Sequence, residues 1–435
     1  ERYAEEYCKL DTSYRKFYTS FDRLQNKDLL TDLKEKIENT YVNGYLNTLS
    51  VIWSDSLETL NGNWLIPGVV MQKDFYKAFV KPFIDGNERV FIIISDGLRY
   101  EAAREFCDIL SKERKGSVEL VYMQGSIPSN TLIGMASLLP HESITMDENY
   151  KVYVNGISSD GTENRNRILN YYSRESIAVQ FTDVIDMKRD DMRKTFSGKN
   201  LIYIYHNVID ARGDNWKTER EVFDAVEETF EELKILINNL VNNISATNII
   251  ITADHGFIYK RGNLIESDKV SKGSIEDAYE NRRFVLGSKP LELEGTLSFN
   301  MEYLLGPDTN FKYVSPRGVN RFMIQGMGAN YVHGGTSLQE IIIPVIKLKK
   351  DRSKGSKNEV AKVDVKLTSI TRKITNIITY LEFFQTEKVG DKRIPLRLKV
   401  YFTDEEGNRI SNENIIIADS KAETYEGRSF REKFV

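Results

Sequence analysis

Apolar residues recur at helical spacing in the first part of the chain and at strand spacing after it, and this change of period divides the molecule. Up to about residue 86 the chain is rich in tyrosine, lysine and glutamate, with Leu29, Leu33, Ile37 and Tyr41 on one helical stripe. This predicts a helical lead-in over 1–88 that packs or links and carries no chemistry. From residue 89 short apolar strands alternate with helices. Strands are expected at 90–94, 118–123, 201–205 and 248–252. One helix is expected over 101–110, with Ala103, Phe106 and Leu110 on one stripe. Another is expected over 218–240, opened by a Thr218-x-x-Glu221 capping box and buried through Val222, Val226, Phe230, Leu233, Ile237 and Leu240. Alternation of this kind means an α/β domain over 89–348, a parallel sheet with helices on both faces.

Segments 150–175 and 260–320 are polar and poor in long apolar runs, and they predict insertions over one end of the sheet that form a lid. The run Ile341 to Leu348 returns to strand character, and its proline suggests an edge strand or a bulge. A charged linker follows over 349–358. Beyond it the period becomes two, in Val363, Val365 and Leu367 and again in Leu396, Leu398, Val400 and Phe402. The turn Asp404 to Asn408 closes an expected hairpin, so 359–435 reads as a small antiparallel β domain.

Composition narrows the function classes. The 435 residues are 40% hydrophobic and 29% charged, with a net charge of -4, so no global field draws the chain to nucleic acid. Any anionic substrate must be held locally, by metal ions or a few arginines. Two cysteines, Cys8 and Cys107, read as free thiols in a reducing cytoplasm. No apolar run reaches the roughly 18 residues that span a bilayer, so no membrane association is expected. A chain that opens at Glu1 in a helical pattern and stops at Val435 is expected to be part of a longer protein.

Chemistry concentrates at strand ends. Only four histidines occur, His141, His206, His255 and His333; three of them, His206, His255 and His333, lie at the ends of apolar segments, the last two beside glycine or aspartate. Asp96 follows the strand at 90–94, and Gly97 allows a tight turn into a helix; the carboxylate there either caps the helix or binds a cation. His206, Asp210 and Asp214 follow the strand at 201–205, and spacing by four puts the two aspartates on one side of a helical turn. Asp254-His255 ends the strand at 248–252, and His333 is followed by two glycines that let backbone approach a site. These side chains are enough for two cations, and mixed oxygen and nitrogen donors favour zinc or manganese over calcium. Two ions about 4 Å apart would clamp the attacking and leaving oxygens of a phosphoryl transfer, so a phosphate ester is the expected substrate. Ser126, Ser129 and Thr131 offer hydroxyls ahead of an apolar helix, whose amides favour both a phosphate and an alkoxide. Thr131, nearest the helix, is the preferred nucleophile, with Ser126 as rival and capping as the plainer role. Arg99, Arg317 and Arg321 could neutralise a bound phosphate.

The strings Ser95 to Glu101, Pro128 to Pro140, Thr252 to Phe257 and His333 to Glu340 resemble the alkaline phosphatase superfamily, and more closely the PglZ family of the BREX phage-defence systems. The resemblance covers about residues 89–348. It implies one metal held by Asp96, Thr131, Asp254 and His255. It implies a second held by Asp210, position 214 and His333. Aspartate stands at 214 where the family pattern has histidine, which hardens that site toward oxygen and favours manganese or magnesium there, or lowers its occupancy. His206 is a candidate to compensate.

The resulting expectation is a metal-dependent phosphodiesterase or phosphatase, zinc first among its cofactors and manganese or magnesium as alternatives. It would work through a phosphothreonine on nucleic acid or a nucleotide, beside other BREX defence proteins. The competing expectation is a phosphatase-fold scaffold that binds metal to hold its loops. A sulfatase or phosphomutase relative is disfavoured, because no cysteine or serine lies in a sulfatase-type modification motif.

Overall fold

The computed structural model describes residues 1–113, 116–262, 264–272, 275, 277–289, 293–324, 330–350, 361–369, 374, 376–390 and 392–435. The described residues form two compact units, one of Glu1–Phe106 with Glu119–Lys349 and one of Cys107–Val118 with Lys350–Val435. The linker expected at 349–358 lies outside the described residues beyond Lys350.

The larger unit is organised by a six-stranded sheet. Its strands are β1 (Val90–Ser95), β2 (Ser117–Gln124), β3 (Ser176–Gln180), β4 (Leu201–His206), β5 (Asn248–Thr252) and β6 (Ile342–Lys349), in the spatial order β2-β6-β5-β1-β4-β3. β1 runs parallel to both β4 and β5, and β3 parallel to β4. β6 runs antiparallel to β5, so the sheet is mixed where the strand pattern alone suggested an all-parallel one. Helices cover both sides. This is why Val90 to Ile94 are all fully buried and read as a continuous apolar run rather than an alternating one.

The helices that matter for the site are α1 (Cys8–Asp22), α2 (Thr31–Asn39), α3 (Thr48–Glu58), α4 (Tyr100–Glu113), α5 (Thr131–Ser137), α6 (Gly161–Tyr172), α7 (Ile209–Gly213) and α8 (Val222–Asn243). The first three come from the lead-in and pack within the larger unit: Tyr3, Ala4 and Cys8 share a core with Tyr100 and Ile342. Buried Arg15 of α1 pairs with Glu101 at 3.1 Å and Glu227 at 2.8 Å, which ties α1 to α4 and α8, and Phe106 stacks on Phe230 at 5.1 Å. The polar segment at 260–320 contains a four-stranded antiparallel sheet, in the order Ala278–Glu280, Val285–Gly287, Lys312–Pro316, Thr296–Asn300. A short antiparallel pair, Ile258–Tyr259 with Tyr331–Val332, joins the segment after β5 to the segment that carries His333.

Two local expectations are corrected. The proline-containing strand is interior, between β2 and β5, and not an edge. Pro344 is tolerated because the pairing with β5 begins only at Val345, and the Pro344 carbonyl accepts the Thr252 hydroxyl at 2.7 Å. Thr218 does not form the expected capping box. Its hydroxyl donates to the carbonyls of Arg212 and Asn215, and the helix proper starts at Val222 after a short 3-10 turn.

In the smaller unit Thr379–Gln385 pairs antiparallel with Val365–Leu367 and with Ser429–Phe434, and Leu396–Val400 pairs antiparallel with Asn414–Ala418. Leu381, Phe383, Ile416 and Phe434 form its core. Among the described residues no helix is long and apolar enough to cross a membrane, and both cysteines are free and buried.

The segment after His333 is clamped by a fully buried ion pair. Arg283 Nε donates to Glu340 Oε1 at 3.0 Å and Nη2 to Oε2 at 2.7 Å, and the same carboxylate accepts from the Gly335 and Ser337 amides. Removing one partner leaves the other charge buried and uncompensated. Glu340→Ala should therefore cost roughly 3–5 kcal/mol, read as a lower urea midpoint, with partial recovery in the Arg283→Met/Glu340→Leu pair. A midpoint within error of wild type for Glu340→Ala would show that the clamp does not stabilise the fold.

Candidate metal centre

Three adjacent strands deliver acidic groups to one place. Asp96 follows β1, Asp210 and Asp214 lie on and just after α7 beyond β4, and Asp254 and His255 follow β5. The carboxyl ends of neighbouring parallel strands are where an open α/β sheet opens to ligands. Gly97 turns the chain at φ +71°, and its amide donates to Asp254 Oδ1 at 3.2 Å, so the first strand end orients the carboxylate of the third. α5 is pressed against the same end: a Cβ on Gly134 would lie 2.2 Å from the Asp254 carbonyl oxygen. Fully buried Gln72 completes the frame, donating to the Asp254 carbonyl at 2.6 Å and accepting from the Ser126 amide at 2.9 Å.

The candidate ligands converge in two overlapping groups, Asp96–Asp254–His255 and Asp210–His255–His333, with ligand atoms within 4.8 Å of one another in each. The Gly256 carbonyl can only accept, so the contact at 3.0 Å makes His255 Nδ1 a donor and leaves Nε2 as the lone-pair atom. That Nε2 lies 3.4 Å from Asp96 Oδ1, 3.5 Å from Asp254 Oδ2, 3.9 Å from Asp210 Oδ1 and 3.2 Å from Thr131 Oγ1. His333 stacks on His255 with ring centroids 4.1 Å apart, and its Nε2 lies 3.8 Å from Asp210 and 3.4 Å from Asp214. Asp214 belongs to neither group; with 58% of its side chain accessible it stands outside them at the rim, beside His333.

Electrostatics and hydrogen bonding both call for a cation. Burial, and then the charges of Asp254 and Asp210, push the Asp96 carboxyl well above the usual carboxylate range. Burial also raises Asp210, against the pull of His333 and His255. At Asp214 the hydrogen bond and charge of His333 overcome burial and hold the carboxyl low. The His333 ring, which burial alone would deprotonate, is held up at about 9 by its bond to Asp214 and the charges of Asp210 and Asp214. Asp96 Oδ1, Asp254 Oδ2 and His333 Nδ1 are buried without a hydrogen-bond partner. Buried polar atoms are seldom left so, and the two carboxylate oxygens face a set of oxygen and nitrogen donors that suits a divalent transition-metal ion.

The other expected residues sort by what they touch. Thr131 sits at the first turn of α5, with Asn130 capping the helix through the Ile133 amide at 3.1 Å, and its hydroxyl faces His255. Ser129 instead donates to the Gly335 carbonyl, and Ser126 pairs with Ser137. His206 has both nitrogens engaged, Nδ1 with Ser95 at 3.0 Å and Nε2 with Glu232 at 2.8 Å, and it belongs to neither group. Arg99 is buried against Asp11 at 3.1 Å, Arg317 is taken by Asp55 and Glu58, and Arg321 donates to the Val319 and Asn330 carbonyls.

Three residues escaped the sequence reading. Gln72 carries no pattern that marks it. Tyr331 donates to Asp210 Oδ1 at 2.9 Å, and its one visible signal is its place two residues before His333. Arg165 of α6 lies over the Tyr205 ring at 4.7 Å, donates through Nε to the Ser159 carbonyl, and exerts an opposing pull on Asp96.

Residues 75–348 match the family described as the BREX system PglZ alkaline phosphatase-like domain. The chain is 57% identical over 435 residues to the alkaline phosphatase-like protein PglZ of Bacillus cereus (strain H3081.97), covering 100% of the chain and 51% of that protein. It is 34% identical over 438 residues to the alkaline phosphatase-like protein BrxZ of Escherichia coli O9:H4 (strain HS), covering 98% of the chain and 50% of that protein. The chain thus spans about half the length of the curated relatives it matches. Among solved structures, murine ectonucleotide pyrophosphatase/phosphodiesterase 5 is similar at a TM-score of 0.42 and 12% identity, over 60% of this chain and 88% of that one.

In chelator-treated protein the His333 ring should titrate with a midpoint near 9 instead of the ordinary 6.5. Its folded value lies above the unfolded one, so the stability it contributes is complete below pH 6.5 and is lost as pH rises through about 9. Asp214→Asn removes its bonded partner and should lower the midpoint, followed by NMR of the histidine ring protons. A wild-type midpoint at 6.5 or below would refute the pairing.

Proposed function

Because the chain belongs to the PglZ alkaline phosphatase-like family of BREX systems, we propose that it is a metal-dependent phosphohydrolase acting on phosphodiesters through Thr131. The observation that carries this reading is the Thr131 hydroxyl 3.2 Å from His255 Nε2, beside two buried carboxylate oxygens without partners. Asp96, Asp254 and His255 would hold one divalent ion and Asp210, Asp214 and His333 the other. Bound there, zinc or manganese supplies positive charge that acidifies a hydroxyl and offsets charge on the transferring phosphoryl group.

The chain's own groups do the rest. α5 presents Thr131 Oγ1 to the phosphorus; an oxygen–phosphorus bond forms to Thr131, whose hydroxyl proton passes to solvent, as the bond to the ester oxygen breaks, and the leaving alkoxide takes a proton from solvent. Water then attacks the phosphothreonine, its oxygen joining phosphorus as the Thr131 oxygen departs and regains a proton, which releases a phosphomonoester. The substrate's charge needs a cation that is not already taken. Arg99 and Arg317 are neutralised by their own carboxylates, whereas Arg165 pairs with no carboxylate among the described residues and is held in place by Ser159 and Tyr205. We therefore assign the substrate phosphate to Arg165 in place of Arg99 and Arg317.

A phage-defence setting, other BREX proteins as partners, a nucleic acid or nucleotide as substrate and a cytoplasmic location complete the proposal. Free, buried Cys8 and Cys107 fit a reducing compartment.

Hydrolysis of bis-p-nitrophenyl phosphate with added zinc or manganese tests the reading. Thr131→Ala and Asp254→Ala should each lose activity by on the order of a thousandfold or more. Arg165→Ala should raise KM and lower kcat/KM about 10- to 1,000-fold, while Arg317→Ala leaves both unchanged. Absence of metal-dependent turnover, in this chain and in the full-length relative alike, would favour the scaffold.

A further inference from the structure

Two remote turns of the chain are shaped to admit the Tyr331 side chain at the centre, and a third segment packs against it. A Cβ on Gly97 would lie 3.0 Å from its hydroxyl oxygen, and a Cβ on Gly213 would lie 2.4 Å from a ring carbon. Gly97 follows β1 and Gly213 ends α7, so two separate turns lack side chains where this ring passes. On its other side Phe257 packs against it at 4.6 Å between centroids. Arg99 lies over Phe257 at 5.1 Å and is held by Asp11 at 3.1 Å. Asp11 in turn accepts hydroxyls from Tyr3, Tyr41 and Tyr45. The lead-in helices, which carry no chemistry in their sequence pattern, therefore reach the centre through Asp11, Arg99 and Phe257.

The ring ends on Asp210. Tyr331 is 3% exposed, and its O–H donates to Asp210 Oδ1 at 2.9 Å. Burial and the charge of Asp210 push the phenol well above its ordinary value, so it remains a donor. A carboxylate on a short helical turn can rotate about two side-chain bonds; one hydrogen bond from a wedged ring removes that freedom and fixes Oδ1, the oxygen that lies 3.8 Å from His333 Nε2 and 3.9 Å from His255 Nε2. Asp214 has no such support, being largely exposed and bonded to His333.

We propose that Tyr331 is a positioning residue that fixes Asp210 for the second divalent ion, and that this support makes up for the weak hold of Asp214 at the rim. The inference rests on the two-ion reading above and concerns the affinity of one ion only. The short segment that delivers His333 thereby also delivers the group that orients its partner ligand, Tyr331 lying two residues before it.

The test is titration of chelator-stripped protein with manganese(II) alone, followed by electron paramagnetic resonance and calorimetry, without substrate. Wild type should bind in two steps. Tyr331→Phe keeps the ring and loses the O–H, so the weaker step should fall about 10- to 100-fold while the tighter step and the melting temperature stay the same. Phe257→Leu should shift the weaker step in the same direction by a smaller factor. Two steps in Tyr331→Phe that match wild type, or an equal loss from both, would overturn the positioning role and leave the two-ion reading standing. A wild-type protein that binds less than one ion would overturn both together.

Discussion

The mutual repulsion of carboxylates in a place with little water governs this structure. Asp96, Asp210 and Asp254 are all nearly or fully buried, and each sits within 4 Å of the same imidazole nitrogen. Like charges so placed resist ionising together, which is why burial and the neighbouring acids raise Asp96 and Asp210. Such an arrangement persists only if the scaffold holds it against its own electrostatics. Much of the surrounding architecture can be understood as that restraint: three hydrogen-bonded parallel strands set the spacing, Gln72 and the Gly97 amide anchor the Asp254 segment, and the Arg283–Glu340 clamp anchors the segment after His333.

Histidines resolve the tension in different ways at the two ends of the cluster. His255 is oriented by its own backbone neighbour, so that its Nε2 faces the inner acids as a further ligand atom. His333 instead faces Asp214, whose hydrogen bond and charge, with the charge of Asp210, hold its ring above the ordinary histidine value. A cation bound at the outer end would compete with a proton on His333, whereas the inner end presents unpartnered oxygens directly. The aspartate at position 214 is thus more than a change of donor atom. It would couple occupancy of the outer end by a cation to pH.

The sequence disclosed the parts of this arrangement that depend on local pattern. β5 was legible to the residue because a strand buried on both faces is a continuous apolar run, and Asp254-His255 announced its end. Asp210 and Asp214 were legible as a helical turn because their spacing is four. Charged partners were not. Nothing near Arg99 in sequence points to Asp11, and nothing near Arg317 points to Asp55 and Glu58, since such pairs are made by tertiary packing. Tyr331 was hidden for the same reason: the glycines that make room for it lie more than a hundred residues upstream. Pro344 misled because a missing N–H excludes a central strand only where the ladder needs it, and here the pairing with β5 begins one residue later.

One feature of the sheet bears on how the centre comes into being during synthesis. β6 is the last of the six strands in the chain, yet it lies inside the sheet between β2 and β5. The ligand-bearing residues, from Asp96 to His333, all emerge before it. Until Ile342–Lys349 is available, β5 lacks its neighbour on one side and the sheet remains split. The nascent chain can therefore pair the three strands that carry the acidic groups before the sheet is complete, and β2 joins them only through a closing strand that contributes no ligand of its own.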